Sequence, residues 1–458
     1  MPWSEKSGRI RLAALVFVQE LRSLLAAPAL WIMLIIIAVL VGYSFIEAVD
    51  LYSRASRTAL SHAELAGGLN PMDGIFIPTF GAYYLTETLL LPFIAIRIIG
   101  RDRLDGTLKL LFQLRLSGFV LCLLKLMALG VIWLFSLLPA LSVMLCWHIF
   151  GGHLSLAGIG LLFAGHALYS LVVVTLAMFA AALSENPATA AIFTLGVTLG
   201  FWVLDFAAAG SAGFLRRLAG FSLTGMLRQF EQGLFGTPQL AVFLGLGTLF
   251  FVLCALWVHP GRRPEAKFSG SVLAFLLVGF MLAASFARPL YRDLSEDRRH
   301  SFPPALTAAL RGLDKTLVIT VHLDPLDSRL QDLERDLFAK LRRAVAKLEL
   351  RYAVEGREGL FATAEIDNYG LIEYEYCGRH DQSYSNSAEE IVPLILKLAG
   401  KEMVWQPGPA YPGYPLVADA RNCRGWFYLV LPLVFLLAGI CGYRGWRPCI
   451  RIKERTQW

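Results

Sequence analysis

Residues 29–49 read ALWIMLIIIAVLVGYSFIEAV, an apolar run in which Glu47 carries the only charge. A helix needs about 20 mostly apolar residues to cross the hydrocarbon core of a bilayer. Seven further segments pass the same test: 75–99, 118–150, 156–183, 188–209, 240–258, 271–287 and 425–443. The chain is therefore predicted to be a polytopic α-helical membrane protein of about eight spans.

The composition separates a membrane part from a soluble part. Of the 458 residues, 56% are hydrophobic and 17% are charged, whereas soluble proteins have roughly a quarter charged residues. The deficit does not extend to residues 290–424, between the last two predicted spans. Strands are predicted there at 316–323, 349–354, 361–366 and 371–377, with helices at 327–348 and 387–398. This order predicts an α/β domain with a small parallel or mixed sheet.

Lysines and arginines predict the orientation, because they concentrate in cytoplasmic loops. The net charge is +7. Basic residues cluster before span one, between spans two and three, between spans six and seven, and after span eight. With eight spans all four clusters fall on one side, so both termini are predicted to be cytoplasmic and residues 290–424 extracytoplasmic. No basic array carries the partner side chains that read nucleic acid, so membrane lipid is the expected surface partner.

The N-terminal residues 1–28 form a separate unit. An apolar face runs from Ile10 to Leu25, polar residues lie between its members, and Pro28 interrupts the helix. This pattern predicts an amphipathic helix along the cytoplasmic interface. The alternative, a simple extension of span one, stays open at this point.

The sequence lacks the motifs of common catalytic and metal sites. There is no Gly-x-x-x-x-Gly-Lys-Ser/Thr loop, no His-Glu-x-x-His helix and no Cys-x-x-Cys pair. We therefore expect no enzyme activity, no metal and no cofactor in this chain. Cys377 and Cys423 could form a disulfide if their segment is extracytoplasmic, or they could remain free thiols.

Besides Glu47 near the end of span one, two carboxylates interrupt predicted spans, where a charge is costly and usually faces an interior or a cavity. Glu87 lies in the middle of span two, and Asp205 lies near the outer end of span five. Both are candidates for a polar translocation path. For Glu87 the alternative is a hydrogen bond between helices, and for Asp205 it is a place at the interface.

The stretch after span two reads RDRLDGTLKLL over residues 101–111. A charged turn leads into a short amphipathic helix and then into span three. A partner that docks on this helix could move both spans. The simpler interpretation is a short basic cytoplasmic loop.

This stretch resembles the ABC-2 class of ABC-transporter permeases. In that class, an acidic and basic cluster precedes Gly-Thr-Leu-x-Leu-Leu, and a lysine follows about twenty residues later; here Gly106 opens the motif and Lys125 follows. The helix with Gln19-Glu20-Leu21-Arg22 resembles the connecting helix of the class, and residues 221–236 resemble its outer hairpin. The chain departs from the class at Arg115, often proline there, and at Leu124, often glycine.

Residues 293–301 (DLSEDRRHS), with the segment 306–323 that follows, resemble the auxiliary domain of gliding-motility-type ABC permeases. The two resemblances imply five units: an interfacial helix (1–28), a six-span permease core (29–258), a loop with span seven (259–289), the auxiliary domain (290–424), and span eight with a basic tail (425–458).

The resemblance also implies partners and a coupling site. A separate ABC ATPase would bind ATP and Mg, and a second permease copy or homologue would complete the path. The residues implied to couple to the ATPase are Glu20, Arg22, Arg101, Asp102, Arg103, Asp105, Gly106, Thr107 and Lys109. The expected function is the permease subunit of an ATP-driven transporter of the inner membrane, most often an exporter. The alternative is an envelope assembly or motility scaffold that an ABC ATPase drives without solute transport.

Overall fold

The computed structural model describes residues 2–114, 116–208, 220–259, 261–324, 327–353, 368–401 and 411–445. Within these ranges, eight helices are long and apolar enough to cross a membrane, as predicted for a multi-pass membrane protein. Spans one to eight are Pro28–Ser61, Met72–Leu104, Gly118–Ile149, Leu156–Leu183, Pro187–Asp205, Thr237–Trp257, Pro264–Ala287 and Ala420–Arg444.

Span one is longer than the sequence predicted. The prediction ended at residue 49, but the helix continues to Ser61. Its polar extension carries an ion pair one turn apart, in which Arg54 Nη2 lies 2.5 Å from Asp50 Oδ2. The extension also receives a returning segment of chain, since Tyr52 donates to the Tyr414 carbonyl at 2.7 Å. The polar residues 50–61, beyond the predicted end of span one, therefore continue its helix and contact the returning chain.

Several spans contain local breaks. Span two begins with a π-helical turn, Met72–Phe76, before its α-helix Ile77–Leu104. Span three consists of Gly118–Ser136 and Leu138–Ile149, separated just before Pro139, which has no N–H for the helix ladder. Span eight runs through a 3-10 turn, Ala420–Cys423, a π turn, Trp426–Val430, and an α-helix, Leu431–Gly445.

In the part of the chain that the structure describes, four shorter or peripheral helices accompany the spans: Pro2–Leu25, Ala63–Gly68, Thr107–Leu111 and Leu223–Glu231. Pro2–Leu25 is a helix of its own, separated from span one by Ala26 and Ala27, so the predicted break before Pro28 is confirmed. Leu223–Glu231 packs on span four. That close approach requires Gly165, because a Cβ there would lie 2.7 Å from Phe230 Cβ.

Span four is the central helix of the bundle and packs against spans two, five and six. Spans five, seven and eight leave most of their side chains exposed, as expected of helices that face lipid. The spans alternate in direction, so helix Pro2–Leu25, Asp102 and Lys125 meet at one end of the bundle. We name this the basic end. The opposite end, which carries the soluble domain, is the domain end.

The soluble domain contains a four-stranded mixed sheet. Among the described residues, the strands in chain order are β1 Leu234–Gly236, β2 Tyr291–Asp293, β3 Leu317–Val321, β4 Leu348–Tyr352, β5 Ile372–Tyr376 and β6 Arg379–Ser383. The sheet order is β4-β3-β5-β6, with β3 parallel to β4 and antiparallel to β5. The sequence predicted a small parallel or mixed sheet, and the observed sheet is mixed.

Helices cover this sheet and complete its core. They are Pro304–Arg311, a continuous helical stretch made of Ser328–Asp332, Leu333–Phe338 and Ala339–Ala344, and Ala388–Leu398. Buried side chains from both layers, such as Ile319, Leu337 and Ile395, form one hydrophobic core. Strands β3, β4 and β5 lie where the sequence predicted them. The predicted strand at 361–366 lies outside the described residues.

Two connections hold the soluble domain to the bundle. Strand β1, which precedes span six, pairs antiparallel with β2, which follows span seven, so that Phe235 lies opposite Arg292. The returning chain before span eight binds the polar end of span one, where Ser53 Oγ donates to the Ala418 carbonyl at 2.8 Å. The domain therefore contacts the bundle near both of its own anchors.

Candidate functional site

Lys125 forms a buried ion cluster at the basic end. Its Nζ lies 2.5 Å from Glu20 Oε1, and it also bonds Asp102 Oδ2. A third bond goes to the Ile98 carbonyl at 3.1 Å. The Lys125 side chain is 3% exposed and that of Glu20 is 10% exposed. We name Glu20, Asp102 and Lys125 the basic-end triad.

The triad joins three helices that are distant in sequence. Glu20 lies in helix Pro2–Leu25, Asp102 in the last turn of span two, and Lys125 in the second turn of span three. Burial raises the pKa of the Glu20 carboxyl above its ordinary value, and the Lys125 ammonium opposes this shift. The two carboxyl groups therefore share one ammonium in a site that is largely shielded from solvent.

The arginines beside the triad have different partners. Arg101 donates to Ser23 Oγ at 2.9 Å and pairs with Asp105 at 3.3 Å, which ties span two to the N-terminal helix. Arg103 donates to the carbonyls of Ala182 and Ser184, at 3.1 and 2.9 Å, where span four ends. These last-turn carbonyls have no partner inside their own helix, so Arg103 caps span four.

A tight turn separates the triad from the exposed helix. Gly106 has φ of 72°, a left-handed conformation that favours glycine, and Thr107–Leu111 follows as a short helix. Lys109 and Leu110 are exposed on that helix, and Leu110 has 62% of its surface accessible. Leu104, the last residue of span two, is 68% exposed. The residue Arg22, from the same predicted set, lies in the last turn of helix Pro2–Leu25.

Five of the nine residues implied by the resemblance therefore fall into two groups. Glu20 and Asp102 face inward as partners of Lys125, whereas Asp105, Thr107 and Lys109 lie on the exposed surface. Lys125 follows the Gly-Thr-Leu motif in the sequence, but it is not among the residues that the resemblance implies. Its position inside a predicted span, where a lysine needs a partner, is the signal that could have identified it.

Glu87 and Asp205, the candidates for a translocation path, do not lie together. Glu87 is 2% exposed and accepts a hydrogen bond from Ser170 of span four. It lies between spans of the same chain, an arrangement that agrees with the helix-to-helix alternative. Asp205 is half-buried beside Gly225 of helix Leu223–Glu231.

A second buried pair lies nearer the domain end and was not predicted. His166 Nε2 lies 3.1 Å from Glu231 Oε1, and the His166 side chain is fully buried. Glu231 comes from the short helix that packs on span four, so the pair holds that helix in place. A histidine in an otherwise apolar span was the signal available in the sequence.

Cys377 and Cys423 are free thiols in the structure. Cys377 and Gly378 connect β5 to β6 with φ of 53° and 74°, a two-residue turn of the kind in which both central residues have positive φ. This turn places Cys377 on the exposed tip of a hairpin. Cys423 begins span eight and packs against the bundle. The structure therefore does not join the two cysteines considered as a disulfide.

Among the described residues, no group of three or more histidine, cysteine or acidic side chains could hold a metal ion. At the basic end, the ion pairs of the triad hold helix Pro2–Leu25, span two and span three together beside the exposed helix Thr107–Leu111. No protein-family model, no curated protein and no solved structure matches this chain.

Proposed function

We propose that this chain is the membrane permease subunit of an ATP-driven ABC transporter, with a separate ATPase docking at the basic end. The observation that carries the proposal is the basic-end triad. It locks the N-terminal helix, span two and span three into one unit next to an exposed helix. A force on that helix would therefore reach three helices at once.

The docking surface in this proposal is the exposed part of the predicted site. Leu104, Lys109 and Leu110 combine apolar and basic side chains on a protruding turn and helix. A partner could bury the two leucines and pair with the lysine. The triad itself lies behind this surface and transmits movement instead of touching the partner.

In this proposal the partner ATPase binds ATP and Mg, and a second copy or a homologue of this chain completes the assembly. The basic end faces the cytoplasm, because its loops carry the lysines and arginines. Residues 290–424 are then extracytoplasmic, and the membrane is the inner membrane of the cell.

Co-purification tests the docking surface. The tagged full chain, extracted in mild detergent, should bring down a nucleotide-binding chain in an equal ratio together with ATPase activity. Lys109→Glu combined with Leu110→Asp should abolish that recovery. Arg262→Glu, in another exposed loop of the basic end, is the matched control and should leave recovery unchanged. Equal recovery with the double variant and the control would reject this surface.

The native thiol of Cys377 tests the orientation, because it is exposed at a hairpin tip. A membrane-impermeant maleimide added to intact cells should label the chain, and Cys377→Ser should remove that label. Labelling of Cys377 only after the cells are broken would place the soluble domain in the cytoplasm and reverse the proposed topology.

A second candidate is an envelope scaffold whose ATPase performs mechanical work without solute transport. The observation in its favour is the closed interior, where Glu87, Thr88 and Tyr83 bond neighbouring spans. Transport assays in liposomes containing the purified pair would separate the two. ATP hydrolysis that moves neither lipid nor solute would favour the scaffold.

A further inference from the structure

A cleft of about 210 Å³, partly open to solvent, lies where the soluble domain meets the membrane bundle. One wall comes from helices Pro304–Arg311 and Ala339–Ala344 of the domain. The other comes from β2 and the residues just before it, Pro289 and Leu290. None of the residues predicted to form a site lines this cleft.

Three basic side chains line the cleft: Arg311, Lys340 and Arg343. Among the described residues, none of the three forms a salt bridge with a carboxylate. Arg343 Nη2 donates to the His300 carbonyl at 2.8 Å, while its buried Nε has no hydrogen-bond partner among the described residues. A buried donor without a partner is costly, so a ligand that accepts from it gains correspondingly.

Asp293 is the one carboxylate among the described residues that line the cleft, and both of its oxygens already accept hydrogen bonds. Asp293 Oδ2 accepts from the His300 N–H at 2.9 Å and from Ser301 Oγ at 2.8 Å, and its Oδ1 accepts from Ser295. Asp293 therefore organises the turn that follows it. It only partly offsets the positive charge of the cleft.

Burial of the cations supports an anionic ligand. Desolvation lowers the pKa of Lys340 and of Arg343 below their ordinary values. Both heads lie over aromatic rings, Lys340 Nζ at 5.9 Å from the Phe302 ring and Arg343 at 6.0 Å from the Tyr291 ring. These contacts hold the charges toward the cleft and away from bulk water.

The other half of the lining is apolar and lies close to the membrane. Pro289 and Leu290 follow Ala287, the last residue of span seven, so they lie within roughly 11 Å of the end of that span. Leu290 and Pro289 are largely exposed, whereas Leu234 of β1 lines the cleft but is buried. A ligand that reaches this cleft can keep an apolar portion in the bilayer interface.

We infer that the cleft binds the anionic headgroup of a membrane lipid. The headgroup phosphate lies between Arg311, Lys340 and Arg343, and the glycerol and upper acyl chain lie along Pro289 and Leu290. Arg343 Nε donates to a phosphate oxygen, which supplies the missing partner. Basic pockets at the membrane surface recognise acidic lipids in this way. The inference does not depend on an ATPase partner.

Lipid binding to the purified full chain tests this inference. The chain would be placed in nanodiscs of phosphatidylcholine with a fluorescent phosphatidylglycerol probe, and affinity would be measured by energy transfer from protein tryptophan. We expect Arg311→Gln with Lys340→Gln to weaken probe binding about tenfold. Arg342→Gln with Arg335→Gln removes two exposed charges from the same helical stretch and should leave binding unchanged.

Arg343→Lys is the second variant, because loss of Arg343 could also disturb the turn at His300. It keeps the charge but removes the Nε donor, so we expect weaker probe binding with unaltered thermal unfolding. Equal binding by both double variants would overturn the inference. Displacement of the probe by free glycerol phosphate as effective as that by unlabelled lipid would also overturn it, since the site would then be one for a soluble anion.

Discussion

The two ends of the bundle use charge in different ways. At the basic end, the Lys125 and Glu20 side chains are 3% and 10% exposed and join helices from distant parts of the chain. At the domain end, Arg299 pairs with Asp73 to hold the soluble domain, and these side chains are 27% and 42% exposed. Buried ion pairs are costly to break, whereas exposed pairs contribute little. The basic end should therefore be rigid and the domain end adjustable.

The largest expected effect follows loss of Lys125. Lys125→Met leaves Glu20 and Asp102 buried without a cation and should destabilise the fold by about 3–5 kcal/mol. Thermal unfolding in detergent would measure it, with Lys109→Met, an exposed lysine at the same end, as the control. The triple variant Glu20→Gln, Asp102→Asn, Lys125→Met should recover much of the loss. A single variant as stable as the control would contradict the proposed rigidity.

A smaller effect is expected at the other buried pair, His166 with Glu231. His166→Leu removes the partner of Glu231, which borders a cleft and can be reached by water. The cost should be about 1–3 kcal/mol, less than that of Lys125→Met. His148→Leu, an exposed histidine of the same bundle, is the control. A cost above that of Lys125→Met would reverse the comparison between the two ends.

The ion pair between Arg299 and Asp73 at the domain end should contribute less to the free energy of unfolding than either buried pair. Arg299→Gln loses the bonds to Asp73 and Asp297, and we expect a change below about 1 kcal/mol that decreases further at high salt. Thermal unfolding at low and high salt would show this dependence. A large, salt-independent loss would mean that the domain end is as rigid as the basic end.

The smallest expected effect is a pH dependence inside the soluble domain. Hydrogen bonds from the Arg329 guanidinium hold the pKa of Asp327 at about 2. Because this pKa is depressed, ionised Asp327 stabilises the fold above the ordinary carboxyl range, and the contribution is lost as pH falls toward 2. Asp327→Asn keeps the helix cap but cannot ionise. The stability of this variant, measured by unfolding between pH 5 and about 2, should lack the pH-dependent contribution of Asp327. An unchanged profile would exclude Asp327 as its source.

Local pattern identified the regular elements well. Hydropathy located the eight candidate spans of the described residues, and the β-branched run at 316–323 located β3; β4 and β5 lie close to their predicted ranges. Strand β6, Arg379–Ser383, was missed because RHDQS is polar throughout. It lies at the edge of the sheet with solvent beside it, so apolar alternation is not required of it, and only its pairing with β5 defines it.

The candidate site was predicted in part. The motif directed attention to Glu20 and Asp102, yet their partner Lys125 is separated from Glu20 by 105 positions in the chain. Periodicity gives no information on which distant charges meet. The sequence placed these carboxylates on a surface, whereas tertiary packing turned them inward and left Leu104 and Leu110 exposed. The cationic cleft depends on the same long-range packing and had no local signature.

Span two is helical from one end of the molecule to the other, although it contains a π turn and Pro92. It begins in the π turn that contains Asp73, the partner of Arg299, and its last turn contains Asp102, the partner of Lys125. At 1.5 Å per residue, its 33 residues extend about 50 Å. If the span moves as a unit, the two ends are linked thermodynamically. A ligand that shifts the span at one end then changes affinity at the other by a factor that must be the same in both directions.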